Sequence, residues 1–255
     1  MCYDNPAVET DPEKDAGAAP PKRPACPACR RPLSCCLCPE VKPFDCGVRF
    51  VFLQHPKEAR RHRTGTGRLA HLCLAGSELL EGVDFAGHPR VNALLADPDL
   101  LPVVLFPDPT PLEPDRGLAE RLRRERRTLL VFVIDGYWTN VLKMMKVSAN
   151  LTPLPRFSLR PAAPSRFIIR HQPHPWCLST IEAVHALIER LAAVGIARSD
   201  GRHHVLLDLC DRLVEGQVRF MRDPGRPGAR RRGASPVRNP RPAAKMKRRL
   251  PFSAS

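Results

Sequence analysis

A chain of 255 residues with 43% hydrophobic content can bury one sizeable core, while 29 prolines and only 5% aromatic residues imply that part of its length is linker or tail. The net charge of +15 points to a polyanionic partner, of which nucleic acid is the commonest. No apolar run approaches the roughly 18 residues of a membrane span, and the acidic opening stretch lacks a secretory apolar segment, so a cytoplasmic protein with no membrane partner is expected.

In chain order, residues 1–25 are rich in Pro, Ala and charge, without periodicity, and read as disordered. Next comes C-x2-C-x6-C-x-C, formed by Cys26, Cys29, Cys36 and Cys38. Four thiolates so spaced can close a tetrahedron around Zn2+, and a Pro-rich segment this short needs such a clip to order itself. The competing reading is a set of reduced thiols without a ligand. Cys73, Cys177 and Cys210 fall on apolar faces and read as packing residues.

Strands are expected over Val48–Leu53, Pro102–Phe106, Thr128–Asp135 and Arg166–Arg170. Helices are expected over Thr66–Ala75, Val91–Ala96, Asp115–Arg126, Thr139–Ala149, Thr180–Val194 and His203–Met221. Leu129–Ile134 is apolar at every position, as a strand buried on both faces should be. The alternation implies a mostly parallel sheet, whose ligands sit at the carboxyl ends of the strands. Three loops then matter: Phe106–Pro111, Asp135–Trp138 and Arg170–Ser179.

Asp135 ends the most hydrophobic strand and stands at the mouth of the sheet; it either does chemistry there or caps the next helix. Ser179-Thr180-Ile181-Glu182 is a capping box, with Ile181, Val184, Leu187, Ile188 and Leu191 on one face behind it. Such a helix start either serves only its own backbone or also cradles a carboxylate or ribose. Residues 55–68, with His55-Pro56, a basic run and Gly65-Thr66-Gly67, read as a polar loop opening a helix. The arginines at 121, 123, 124, 126 and 127 read as a solvated or RNA-facing surface. Residues 223–255 form a tail with strong positive charge, read as disordered: either a solubilising or non-specific basic tail, or one that holds phosphates.

Taken in order, CPACRRPLSCCLC, LQHPKEARRHRTGTGRL, VVLFPDP, FVIDGYW and SRFIIRHQPHPWCLSTIEA resemble the DTW-domain tRNA-uridine aminocarboxypropyltransferases over roughly residues 24–220. The family signature D-x-T-W falls on Asp135, Gly136, Tyr137 and Trp138, with Tyr137 in the place of the threonine. The resemblance implies an α/β, SPOUT-like, mostly parallel sheet with helices on both faces and a C-terminal knot. It divides the chain into a catalytic domain over 26–222, opened by a zinc element over 26–46, and the two disordered ends. It also implies transfer of the 3-amino-3-carboxypropyl group from S-adenosylmethionine to N3 of a tRNA uridine, releasing methylthioadenosine.

On that reading Asp135 is the general base and Trp138 stacks on a base or walls the pocket. Phe106, Pro107, Asp135, Arg170, Leu178, Ser179 and Thr180 hold the donor, and nothing in the sequence calls for an obligate protein partner. The competing readings are a ribosomal RNA aminocarboxypropyltransferase, a SPOUT-type RNA methyltransferase, and a non-enzymatic zinc-bearing RNA-binding protein.

Overall fold

A computed structural model of the chain describes residues 24–61, 64–161, 163–170 and 177–223, without the side chains of residues 60 and 61. The expected disordered segments thus lie almost wholly outside the described residues. Five parallel strands form one sheet in the order β2-β1-β4-β3-β5. They are β1 (Arg49–Gln54), β2 (Glu78–Glu81), β3 (Leu100–Leu105), β4 (Thr128–Asp135) and β5 (Arg156–Phe157). The helices are α1 (Pro56–Arg61), α2 (Gly67–Cys73), α3 (Pro89–Ala96), α4 (Arg116–Glu125), α5 (Trp138–Val147), α6 (Thr180–Ala193) and α7 (Val205–Arg222). Among the described residues, no helix is long and apolar enough to cross a membrane.

The continuous apolar run of β4 has the physical consequence expected of it. Side chains alternate across a strand, so Leu129, Val131 and Val133 enter one core while Leu130, Phe132 and Ile134 enter the other. The first core is covered by α2, α4, α6 and α7, which contribute Leu69, Leu122, Leu187 and Leu206 among others. The second is covered by α3 and α5, through Leu94, Val141 and Met144. The fold is therefore α/β, with helices on both faces of a parallel sheet.

The chain leaves β1 through α1 and α2 toward β2, on one side, and leaves β4 through α5 toward β5, on the other. Because α2 and α5 cover opposite faces, the carboxyl ends of β1 and β4 form the topological switch point of the sheet, the place where open parallel sheets bind ligands in a crevice. Register puts Gln54 beside Asp135 at its floor.

Four elements differ from the sequence reading. Arg166–Arg170 is not a strand: the Arg166 N–H bonds Glu182 Oε1, the Phe167 N–H bonds Ser165 Oγ and the Ile168 N–H turns back to the Arg166 carbonyl, so these donors are not free for a ladder. Instead β5 lies earlier, where Arg156 and Phe157 pair with Val104 and Leu105. β2 and α1 are additional. The expected knot depends on the path between β5 and α6, which includes residues 162 and 171–176, outside the described residues.

Phe132 is fully buried in the central strand. Phe132→Ala should lower unfolding free energy by about 3–5 kcal/mol, seen as a fall in urea midpoint at unchanged slope.

Candidate active site

Asp135 is only 2% exposed, and both its oxygens are bonded by side chains from other elements. Gln54 Nε2 donates to Oδ2 at 2.7 Å, and Thr180 Oγ1, at the start of α6, donates to Oδ1 at 2.7 Å. A carboxylate has about four acceptor positions, so these two bonds orient it without saturating it. Gln54 Oε1 accepts in turn from Arg68 Nη2 at 3.1 Å, and Arg68 also reaches Glu81 at 3.1 Å. Burial is the main influence on the Arg68 guanidinium and lowers its pKa; the nearby Glu81 and Asp135 charges oppose that.

The approach of α2 explains its first residue. A Cβ at Gly67 would stand 2.3 Å from Asp135 Cγ and 2.4–2.6 Å from its oxygens, so only glycine lets the helix start press against the carboxylate. The N–H groups and partial positive charge of a helix N-terminus favour an anion there.

A second buried acid flanks the crevice. Glu58, on α1, is 3% exposed, and its Oε1 lies 2.6 Å from Arg170 Nη2. Burial pushes the Glu58 carboxyl above its ordinary pKa against the pull of Arg170. Its Oε2 is buried and has no hydrogen-bond partner among the described residues. Arg170 Nε donates to Thr64 Oγ1 at 3.1 Å, and the guanidinium lies over the Tyr137 ring, 5.1 Å from its centroid. The residue in the threonine's place is thus stacked under a cation.

Ser179 begins α6 as the sequence reading expected. Its N–H donates to Glu182 Oε2 at 2.8 Å, and its hydroxyl donates to the same oxygen at 2.5 Å. Glu182 also takes Ser165 Oγ and the Arg166 N–H, each at 2.7 Å, and so ties the preceding loop to the helix. The structure therefore brings Asp135, Ser179 and Thr180 together at the start of α6, while Arg170 lies against Glu58, Thr64 and Tyr137. Trp138 is half-buried at the first turn of α5, and Leu178 half-buried just before α6. Phe106 continues β3 and packs in the core that holds Ile134, with Arg156 over its ring at 5.6 Å; Pro107 follows it, half-buried.

Sequence reasoning missed Gln54, Gly67, Arg68 and Glu58. Gln54 carried a usable signal, a polar residue closing an otherwise apolar strand; Gly67 had been visible only as part of a weak glycine motif.

Apart from the crevice, the sulfur atoms of Cys26, Cys29, Cys36 and Cys38 all lie within 4.8 Å of one another, so this cluster could hold a metal ion. Cys26 and Cys38 are 3.7 Å apart, as are Cys29 and Cys36, while Cys35 points to solvent. Cys73 and Cys210 are buried, whereas Cys177 is only half-buried.

The family model described as DTW domain matches residues 23–218. The chain belongs to the DTW domain family. It is 30% identical over 175 residues to a Drosophila melanogaster protein named tRNA-uridine aminocarboxypropyltransferase 2, covering 64% of each chain. A Mus musculus protein of the same name is 29% identical over 173 residues, 63% of this chain and 54% of that one. Thus the match spans less than two thirds of these DTW relatives. No solved structure matches this DTW chain.

Gly67→Ala weighs two effects of opposite sign. Alanine in place of glycine favours a helix by about 1 kcal/mol, while overpacking costs about 1–3 kcal/mol. Because Asp135 is pinned on both oxygens, the clash should win. Gly67→Ala should lower the urea midpoint; a raised midpoint would show that the carboxylate yields freely.

Proposed function

We propose that this chain transfers the 3-amino-3-carboxypropyl group of S-adenosylmethionine to N3 of a uridine in tRNA. The observation that carries the reading is the Asp135 carboxylate of the DTW signature, oriented at the switch-point crevice by Gln54 and Thr180. The names of the fly and mouse relatives support the reaction class and the tRNA substrate.

S-adenosylmethionine supplies an alkyl donor already activated by its sulfonium, so the protein has to position and deprotonate. The amino-acid end of the donor carries an ammonium and a carboxylate. Glu58, with one oxygen lacking a partner among the described residues, and Arg170 beside it have the complementary charges for that end. Phe106, Pro107 and Leu178 are half-buried or buried apolar residues at the strand and helix ends around the same crevice, suited to the donor's uncharged part. The Ser179 hydroxyl hydrogen is committed to Glu182, which leaves that residue to shape the α6 start from which Thr180 reaches Asp135.

Uridine N3 carries a proton that must leave as the new N–C bond forms. Asp135 accepts it on one of the positions that Gln54 and Thr180 leave open. Its burial limits this exchange to a group that enters the crevice, which a uridine splayed from its stack can do. Trp138, on the adjoining helix turn, offers an aromatic face for that base.

The four cysteines fit zinc. Zn–S bonds of about 2.3 Å at tetrahedral angles put sulfurs about 3.8 Å apart, close to the 3.7 Å of the two pairs. Arg31 adds an independent sign. It is 2% exposed, its Nε and Nη1 have no hydrogen-bond partner among the described residues, and Cys29 is the first of the charges that oppose its desolvation. A tetrathiolate zinc centre carries a net negative charge that such a guanidinium offsets. The metal's place is structural, since four protein ligands leave no open position.

Asp135→Asn should fold, bind S-adenosylmethionine and lose roughly 10^2-fold or more in transfer to tRNA. A purely structural role predicts the opposite split, a loss of about 1–3 kcal/mol in stability with an unchanged rate in the folded fraction. Tyr137→Thr, which restores the signature, should keep S-adenosylmethionine binding and change the transfer rate. An unchanged rate would show that the Tyr137–Arg170 stack has no part in the reaction.

A further inference from the structure

A second group of metal-ligating side chains lies on the far part of α6, away from the Asp135 crevice and the cysteine cluster. His185 and Glu189 stand one turn apart on α6, while His203 and His204 lie in the 3-10 turn Arg202–His204 that leads into α7. One ligand atom from each falls within 4.8 Å of all the others. We propose that His185, Glu189, His203 and His204 form a second metal site, taking a divalent first-row ion such as zinc and fastening the start of α7 to α6.

The donor set is chemically apt, since imidazole and carboxylate suit zinc and related divalent ions. Zinc bonds of about 2.0–2.2 Å to nitrogen and oxygen at tetrahedral angles require edges of about 3.3–3.6 Å. His185 Nε2 lies 3.1 Å from His204 Nδ1 and 3.9 Å from Glu189 Oε1, which bracket that value, whereas His203 Nε2 is in direct hydrogen-bond contact with the same Glu189 oxygen, and these two atoms must separate to ligate one ion. The closure is built by local structure. Gly201, at φ +84, turns the chain so that the two adjacent histidines face α6. Ser199 Oγ sits 3.4 Å from His203 Nδ1, on the side of the ring away from Glu189.

The three imidazole rings pack together, with centroids 4.3–5.3 Å apart. His185 and Glu189 also line a cavity of about 570 Å³ with Pro111, Glu113, Ser158 and Arg190, which gives the ion a way in from solvent. The alternative is a hydrogen-bonded histidine cluster without a metal.

The test uses the full untagged chain, stripped with chelator, reduced, and dialysed after addition of zinc sulfate. Elemental analysis should find two zinc ions per wild-type chain, one in His185→Gln/His204→Gln, and one in Cys36→Ser/Cys38→Ser. Cobalt(II) added to the wild-type chain guards against misfolding of a variant. It should show one ion with thiolate charge-transfer absorption and a second with ligand-field bands alone. A wild-type chain with a single, thiolate-bound ion overturns the proposal, as does a histidine variant that keeps both. A single ion retained in the cysteine variant and lost in the histidine variant upholds this site and removes the other.

Discussion

Burying an ionised carboxylate is costly unless donors replace the water it loses, and Asp135 meets that condition with one donor from each of two elements distant in sequence. The same condition fixes the neighbourhood. Gln54 must close β1 in register with Asp135, α2 must begin with a residue lacking a side chain, and α6 must present a hydroxyl in its first turn. The crevice is therefore held by polar bonds at its floor and by the two apolar cores behind it. Removing any one partner leaves a buried group short of a bond, so these positions respond together rather than additively.

The cysteine element joins this arrangement through one side chain. Arg31 Nη2 donates to the carbonyl of Gly65 at 2.8 Å, directly before α2, and so ties the cysteine element to the loop that delivers Gly67 to Asp135. The positive charge that composition places across the domain is less free than it looks. Arg121, Arg124 and Arg127 gather around Glu125, Arg49 and Arg90 share Glu78, and Arg30 and Arg68 share Glu81. A polyanion at this surface meets cations already organised by acids, which shapes the field as much as the net count does.

What could be read from the sequence follows from how each element is stabilised. β4 was legible because both faces are buried, and α6 because its apolar spacing and capping box agree. β2, with the sequence ELLE on a sheet edge, has no alternation to read, and β5 is two residues long. Arg166–Arg170 has strand-like composition, yet its backbone is bonded by Ser165 and Glu182, a tertiary arrangement that local pattern does not encode. The same holds for the site. Asp135, Ser179 and the four cysteines advertise themselves by position or spacing, whereas Glu58 and the histidine cluster become visible only when separate segments meet.

The most direct measurement is nucleoside mass spectrometry of unmodified tRNA incubated with the purified full chain and S-adenosylmethionine. The account predicts uridine carrying a 3-amino-3-carboxypropyl group, with methylthioadenosine formed in equal amount. A methylated nucleoside with S-adenosylhomocysteine, or tRNA bound but unmodified at saturating donor, would contradict it.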